Sequence, residues 1–223
     1  MHPASSAVTA QRPVAVLWDM DGTIVDTEAH WIDAADEVLR EQGIASPPGD
    51  LAPLVGMALT DGAKLMRNLG ASGSIDELVQ RQLELATRNT AASELRWRPG
   101  AVAMLAGLRA SGIRLALVTM SYRSYAEAII AALPAGTFDV VVTGDEVERG
   151  KPAPDAYLRA AELLGVSPQT CIAIEDSPIG VAAARAAGVR TIGVPHHLDI
   201  AADAADEVWS TLEGRSPEEL RLG

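Results

Sequence analysis

The apolar run Val-Ala-Val-Leu-Trp at residues 14–18 passes without alternation into Asp19, Met20, Asp21, Gly22 and Thr23. An uninterrupted run stopped by a glycine suits a strand buried on both faces of a parallel sheet. Two carboxylates then leave its C-terminal end together, where an open α/β sheet builds its ligand crevice. So close a pair repel each other unless a cation lies between them or they share a proton. Hard oxygen donors favour magnesium as that cation. The alternative is an acidic turn with Asp21 and Gly22 as its ordinary residues, which leaves unexplained an aspartate set directly behind a buried strand.

Four later apolar runs, at 113–118, 138–142, 170–174 and 189–194, read as further buried strands. Helical patterns near 125–132, 155–164 and 178–187 alternate with them, the last closed by Gly188. Such alternation predicts a doubly wound parallel sheet. Residues 27–94 differ: Asp26 and Thr27 offer N-caps for a helix ending near Gly43, and two more helical patterns follow the turn cluster at 46–50. No strand signal interrupts them. The pattern breaks at 95–98, and Pro99-Gly100 opens a new helix. The expected organisation is a tail at 1–13, an α/β core at 14–26 and 99–223, and an all-helical cap at 27–98, with 207–209 as an added edge strand. Residues 26–28 and 95–98 are the expected hinges of that cap.

At 223 residues the chain is long enough for a core plus such an insertion. Its net charge of −12 and the lack of a Lys/Arg cluster exclude nucleic acid and anionic membrane surfaces as partners. The single cysteine, Cys171, lies in an apolar run and reads as a buried small residue. No apolar stretch approaches the roughly 18 residues a membrane helix needs, and the first thirteen residues lack the pattern of a signal peptide. The cytoplasm is therefore the expected compartment. Oligomeric state stays open, with a monomer favoured.

Three further strand ends carry chemistry. Thr119 follows the second buried run and precedes a helix, where a hydroxyl and backbone amides can hold a phosphate oxygen, although a threonine there can equally be a cap. Lys151 stands in a loop stiffened by Pro152 and Pro154, with Asp155 as the cap of the next helix. It is one of only two lysines. Glu175 and Asp176 end another apolar run ahead of Ser177 and Pro178. Four carboxylates converging on one sheet edge require a compensating cation.

The ordered set DMDGT, T, KPAPD and EDSPIG resembles the four motifs of the haloacid dehalogenase superfamily, over residues 14–194. It looks most like the helical-cap branch holding β-phosphoglucomutase and the phosphatases of small sugar or polyol phosphates. The resemblance implies a magnesium-dependent phosphatase acting on a small phosphorylated metabolite. Asp19 would be the nucleophile, and Asp21 the general acid and base, with Thr23 placed to steady it by a hydrogen bond. Thr119 and Lys151 would orient the phosphoryl group, which Gly22 and Met120 also help to bind. Mg2+ would be held by Asp19, the carbonyl of Asp21 and Asp176, with Glu175 close by.

Asp21 argues against a dehalogenase or a phosphonoacetaldehyde hydrolase, and Lys64 reads as an exposed helix lysine. β-Phosphoglucomutases carry a histidine where this chain has Trp31, and a phosphate-gripping arginine where it has Leu59, aligned on Gly56. Hydrolysis is therefore expected over mutase chemistry, with a non-catalytic binding protein as the remaining alternative. Trp31, Gly56, Met57 and Leu59 are expected on the cap face over the substrate, and Arg123 at its rim. His196 and His197, adjacent in an extended chain, should point apart and share no metal.

Overall fold

The computed structural model describes residues 11–46, 51, 54 and 59–222. Its centre is a six-stranded sheet, every pair parallel, in the order β5-β4-β1-β6-β7-β8. The strands are β1 (Ala15–Trp18), β4 (Arg114–Val118), β5 (Val140–Val142), β6 (Cys171–Glu175), β7 (Arg190–Gly193) and β8 (Glu207–Val208). Residues 207–208 thus take the expected edge position. Of the run at 138–142 only Val140–Val142 is strand; just before it the Asp139 amide donates to the Leu115 carbonyl and its carboxylate accepts from the Leu115 amide.

Both faces of the sheet are covered, which is why its strands read as unbroken apolar runs. Trp18, Leu115, Leu117, Ile172 and Ile174 point to one face, towards α4 (Ala101–Ala110) and α5 (Arg123–Ile130). Leu17, Ala116, Val118 and Ala173 point to the other, towards α6 (Asp155–Leu164) and α7 (Pro178–Ala186). Trp18 is fully buried, and truncating a core tryptophan costs about 3–5 kcal/mol. The small residues Ala156, Ala160, Ala183 and Ala184 let the second pair of helices lie close to the strands.

Three helices occupy the space between the first strand and α4: α1 (Glu28–Glu41), α2 (Leu59–Asn68) and α3 (Ile75–Ala92). The start of α3 is fixed by Ser74, whose hydroxyl accepts from the Glu77 amide while the Glu77 carboxylate accepts from the Ser74 amide. Such caps contribute about 1 kcal/mol. Thr27 is the N-cap residue of α1, but its hydroxyl makes no capping bond; it donates to the Asp21 carboxylate instead. The two chain crossings pair as a short antiparallel ribbon of β2 (Val25–Asp26) and β3 (Arg96–Trp97). Two-residue strands are too short to carry a period, so the ribbon left no mark on the sequence pattern. Among the described residues no helix is long and apolar enough to cross a membrane.

Candidate functional site

Register brings the chemistry together. Trp18 lies opposite Leu117 of β4 and Ile174 of β6, so Asp19, Thr119, Glu175 and Asp176 all emerge at one edge. The crevice that Asp19, Thr119 and Asp176 line has a volume of about 690 Å³, within the range of a small-molecule site. Trp31, Leu59, Tyr122, Ile179 and Leu198 supply its apolar wall.

Asp19 is held by two elements. Its Oδ2 accepts from Thr23 Oγ1 at 2.9 Å, and its Oδ1 receives the Lys151 ammonium at 2.7 Å. Thr23 therefore steadies Asp19, not Asp21. Lys151 Nζ also donates to Glu175 Oε1 at 2.6 Å and to the Val118 carbonyl at 2.9 Å. Burial alone would depress this lysine, yet the Asp19 and Glu175 carboxylates outweigh it and hold the ammonium well above its ordinary value. Glu175 is fully buried and also accepts from Tyr157 Oη. A Cβ on Gly180 would come within 1.9 Å of Glu175 Oε2, so this glycine lets α7 close over the carboxylate.

Asp21 stands in a different setting. Its Oδ1 accepts from Thr27 Oγ1 at 2.5 Å and, at the 3.5 Å limit, from Trp31 Nε1. Its Oδ2 accepts from Ser121 Oγ at 2.7 Å and Thr119 Oγ1 at 3.1 Å. Burial and the nearby Asp19 charge raise its pKa despite those donors, which favours the protonated acid. Burial, Asp19 and Glu175 push Asp176 up to about 9. Oxygens of Asp19, Glu175 and Asp176 all lie within 4.8 Å of one another. Three carboxylates against one lysine leave an excess of negative charge, and the hard oxygen donors fit a divalent cation such as magnesium.

Other expected residues fall differently. Gly22 has φ +84°, and a Cβ there would meet Asp176 Oδ2 at 2.0 Å. Its amide donates to the Val25 carbonyl at 2.8 Å and so is not offered to a phosphate; the residue serves the turn and the close approach. The Thr119 hydroxyl accepts from the Ser121 amide as well as donating to Asp21. Met120 lines the crevice, with its sulfur 3.2 Å from the Lys151 amide nitrogen. Arg123 does not line it: its guanidinium donates to Glu146 and to the Val141 carbonyl. Gly56 and Met57 lie outside the described residues. Lys64 is exposed and paired with Asp61.

A family profile described as haloacid dehalogenase-like hydrolase matches residues 16–194. The chain belongs to the haloacid dehalogenase-like hydrolases. This hydrolase is 36% identical to "Protein CbbY" of Rhodobacter capsulatus over 208 residues, which is 87% of this chain and 91% of that protein. It is 39% identical to hexitol phosphatase A of Escherichia coli K12 over 185 residues, covering 80% and 81% of the two chains. A mutant CbbY from Rhodobacter sphaeroides, solved in complex with xylulose-(1,5)bisphosphate, superposes with a TM-score of 0.83 at 28% identity. That match covers 94% of this hydrolase and all of that chain.

Sequence reasoning missed Ser121 and Thr27 as partners of Asp21 and Tyr157 as a partner of Glu175. Ser121 sits two residues beyond Thr119 on the same strand-end loop and was within reach of the argument applied to Thr119. Thr27 reads in the sequence as a helix cap, and nothing local marks Tyr157. The histidine pair also needs correction. The chain bends at 196–198 instead of extending, so the two rings lie side by side, 3.8 Å between centroids. Both Nε2 atoms face Asp26 Oδ1 at 3.5 Å.

Proposed function

We propose that this hydrolase cleaves the phosphomonoester of a small sugar or polyol phosphate, with Mg2+ as cofactor and an aspartyl phosphate on Asp19 as intermediate. The single observation that carries the reading is the contrast between two neighbouring carboxylates. Asp19 is paired with an ammonium and faces the crevice as a nucleophile. Asp21 is ringed by neutral donors, and its raised pKa suits it to protonate the leaving alcohol. It would then take a proton from the water that releases phosphate. Lys151 offsets charge on the transferring group, and Thr119 and Ser121 orient Asp21. Asp19, the Asp21 carbonyl and Asp176 would hold magnesium, which when bound supplies charge neutralisation at the phosphoryl oxygens. Residues 27–98 act in this reading as a cap moving on linkers 26–28 and 95–98 over a core of 14–26 and 99–223.

The lining also bears on substrate. Among the described residues of the crevice Lys151 is the only lysine or arginine, and the chain has no lysine or arginine between Arg40 and Lys64. A second phosphate would find no bidentate anchor there, which favours monophosphates and hydrolysis over mutase turnover. The test is phosphate release from sugar, polyol and nucleotide phosphates and phosphoglycolate, with magnesium or EDTA, for wild type and Asp19→Asn. Magnesium-dependent release lost in the variant supports the reading. Conversion of β-glucose 1-phosphate to glucose 6-phosphate without release would establish the mutase instead, and inactivity towards the whole panel would count against the sugar-phosphatase assignment.

A further inference from the structure

Asp26 ends β2, at the first crossing into the helical insertion, and His196 and His197 stand in the loop after β7. One atom from each, Asp26 Oδ1 and a ring nitrogen of both histidines, falls within 4.8 Å of the other two. This group is separate from the Asp19, Glu175 and Asp176 set. Two of its atoms, Asp26 Oδ1 and His196 Nε2, are buried with no hydrogen-bond partner, a costly condition for polar atoms unless something else satisfies them. The two orphans face each other at 3.5 Å. Glu28 Oε2 lies 3.9 Å from His197 Nε2, a second carboxylate beside the outer histidine.

Arg96 lies 3.4 Å from the other oxygen, Asp26 Oδ2, which turns Oδ1 towards the imidazoles. His197 keeps about a third of its side chain exposed and borders the crevice, so an ion has a path in.

We propose that Asp26, His196 and His197, with Glu28 as the fourth donor, form a second metal site selective for a borderline divalent cation of the zinc class. Two imidazoles with one or two carboxylates make a zinc-type donor set, whereas magnesium prefers oxygen alone. The observed 3.5 Å separations are close to the ligand-to-ligand spacing of a tetrahedral site with bonds of about 2.0–2.2 Å. A bound ion ties the linker at 26–28 to the loop after β7, joining the helical insertion to the core independently of any reaction at Asp19.

Zinc binding is measured by calorimetry and equilibrium dialysis on tag-free full-length protein with saturating magnesium. The comparison is wild type, His196→Gln, His197→Gln and Asp176→Asn. The expected result is one zinc per chain in wild type and in Asp176→Asn, weakened at least tenfold by either histidine substitution. Cobalt substitution then gives visible d–d bands in wild type that vanish in His197→Gln, whose exposed side chain makes misfolding a poor explanation; its circular dichroism is recorded alongside. No zinc bound in wild type, zinc lost only in Asp176→Asn, or equal affinity in wild type and both histidine variants would overturn the proposal. Because the readout is binding, the outcome is independent of whether the chain is a phosphatase.

Discussion

Lys151 Nζ stands 2.7 Å from Asp19 Oδ1, although 132 residues separate them in the chain. The same ammonium is 2.6 Å from Glu175 Oε1, with side-chain exposures of 6% for the lysine and 0% for the glutamate. Breaking a buried pair by removing one partner typically costs 3–5 kcal/mol, because the remaining charge is uncompensated. Lys151→Met should therefore lower the urea midpoint substantially and reduce kcat/KM by at least about a hundredfold. An unfolding curve and activity equal to wild type would show that the cation is dispensable.

Asp21 should matter in proportion to the leaving group's need for a proton. For a sugar phosphate, Asp21→Asn is expected to cut kcat by about 10²–10⁴. For p-nitrophenyl phosphate, whose leaving group departs as a stable anion, the loss should be far smaller. Equal losses on both substrates would assign Asp21 a role other than general acid.

The absence of arginine from the described crevice lining makes a prediction about substrates with two phosphates. Adding a second phosphate to a sugar monophosphate should leave kcat/KM unchanged or lower it. Leu59→Arg, at the first residue of α2, should selectively reduce KM for the bisphosphate. Steady-state kinetics on matched mono- and bisphosphates reads both, and a wild-type preference for the bisphosphate would contradict the account.

Away from the crevice, Asp139 ties β4 to the end of α4. Burial works against its charge. The Leu115 amide at 2.8 Å and the Arg109 guanidinium at 2.8 Å nevertheless hold its carboxyl below the ordinary range. A carboxyl depressed on folding contributes stability that is present above its unfolded value and lost as pH falls through its folded value. Asp139→Asn should cost about 0.5–1.5 kcal/mol at neutral pH, a figure held down by partial exposure. The gap in thermal midpoint should close as pH drops below the unfolded carboxyl value of 3.8. A gap that persists undiminished in acid would assign the cost to packing.

The strand-end chemistry was legible because burial on both faces forces long apolar runs, and a polar residue at the end of such a run stands out. Asp19, Asp21, Glu175 and Asp176 carried that mark, and Lys151 stood out by its place just ahead of Pro152 and Pro154. Which partner each would choose was not legible. Thr23 bonds Asp19 instead of Asp21, and the Gly22 amide closes its own turn, because a tight turn admits several donor pairings of similar cost. Thr27 and Tyr157 reach the carboxylates from sequence contexts that look like a cap and a helix core. The β2–β3 ribbon is too short for periodicity, and the bend that joins His196 to His197 contains no glycine to announce it.

The central claim is that Asp19 takes the phosphoryl group, and chemical trapping tests it most directly. Enzyme is mixed with magnesium and a turned-over sugar phosphate, quenched in acid, reduced with borohydride and mapped by peptide mass spectrometry. The account predicts conversion of the residue at position 19 to homoserine, dependent on substrate and absent at position 21. An unmodified Asp19 during turnover, together with activity surviving in Asp19→Asn, would contradict it.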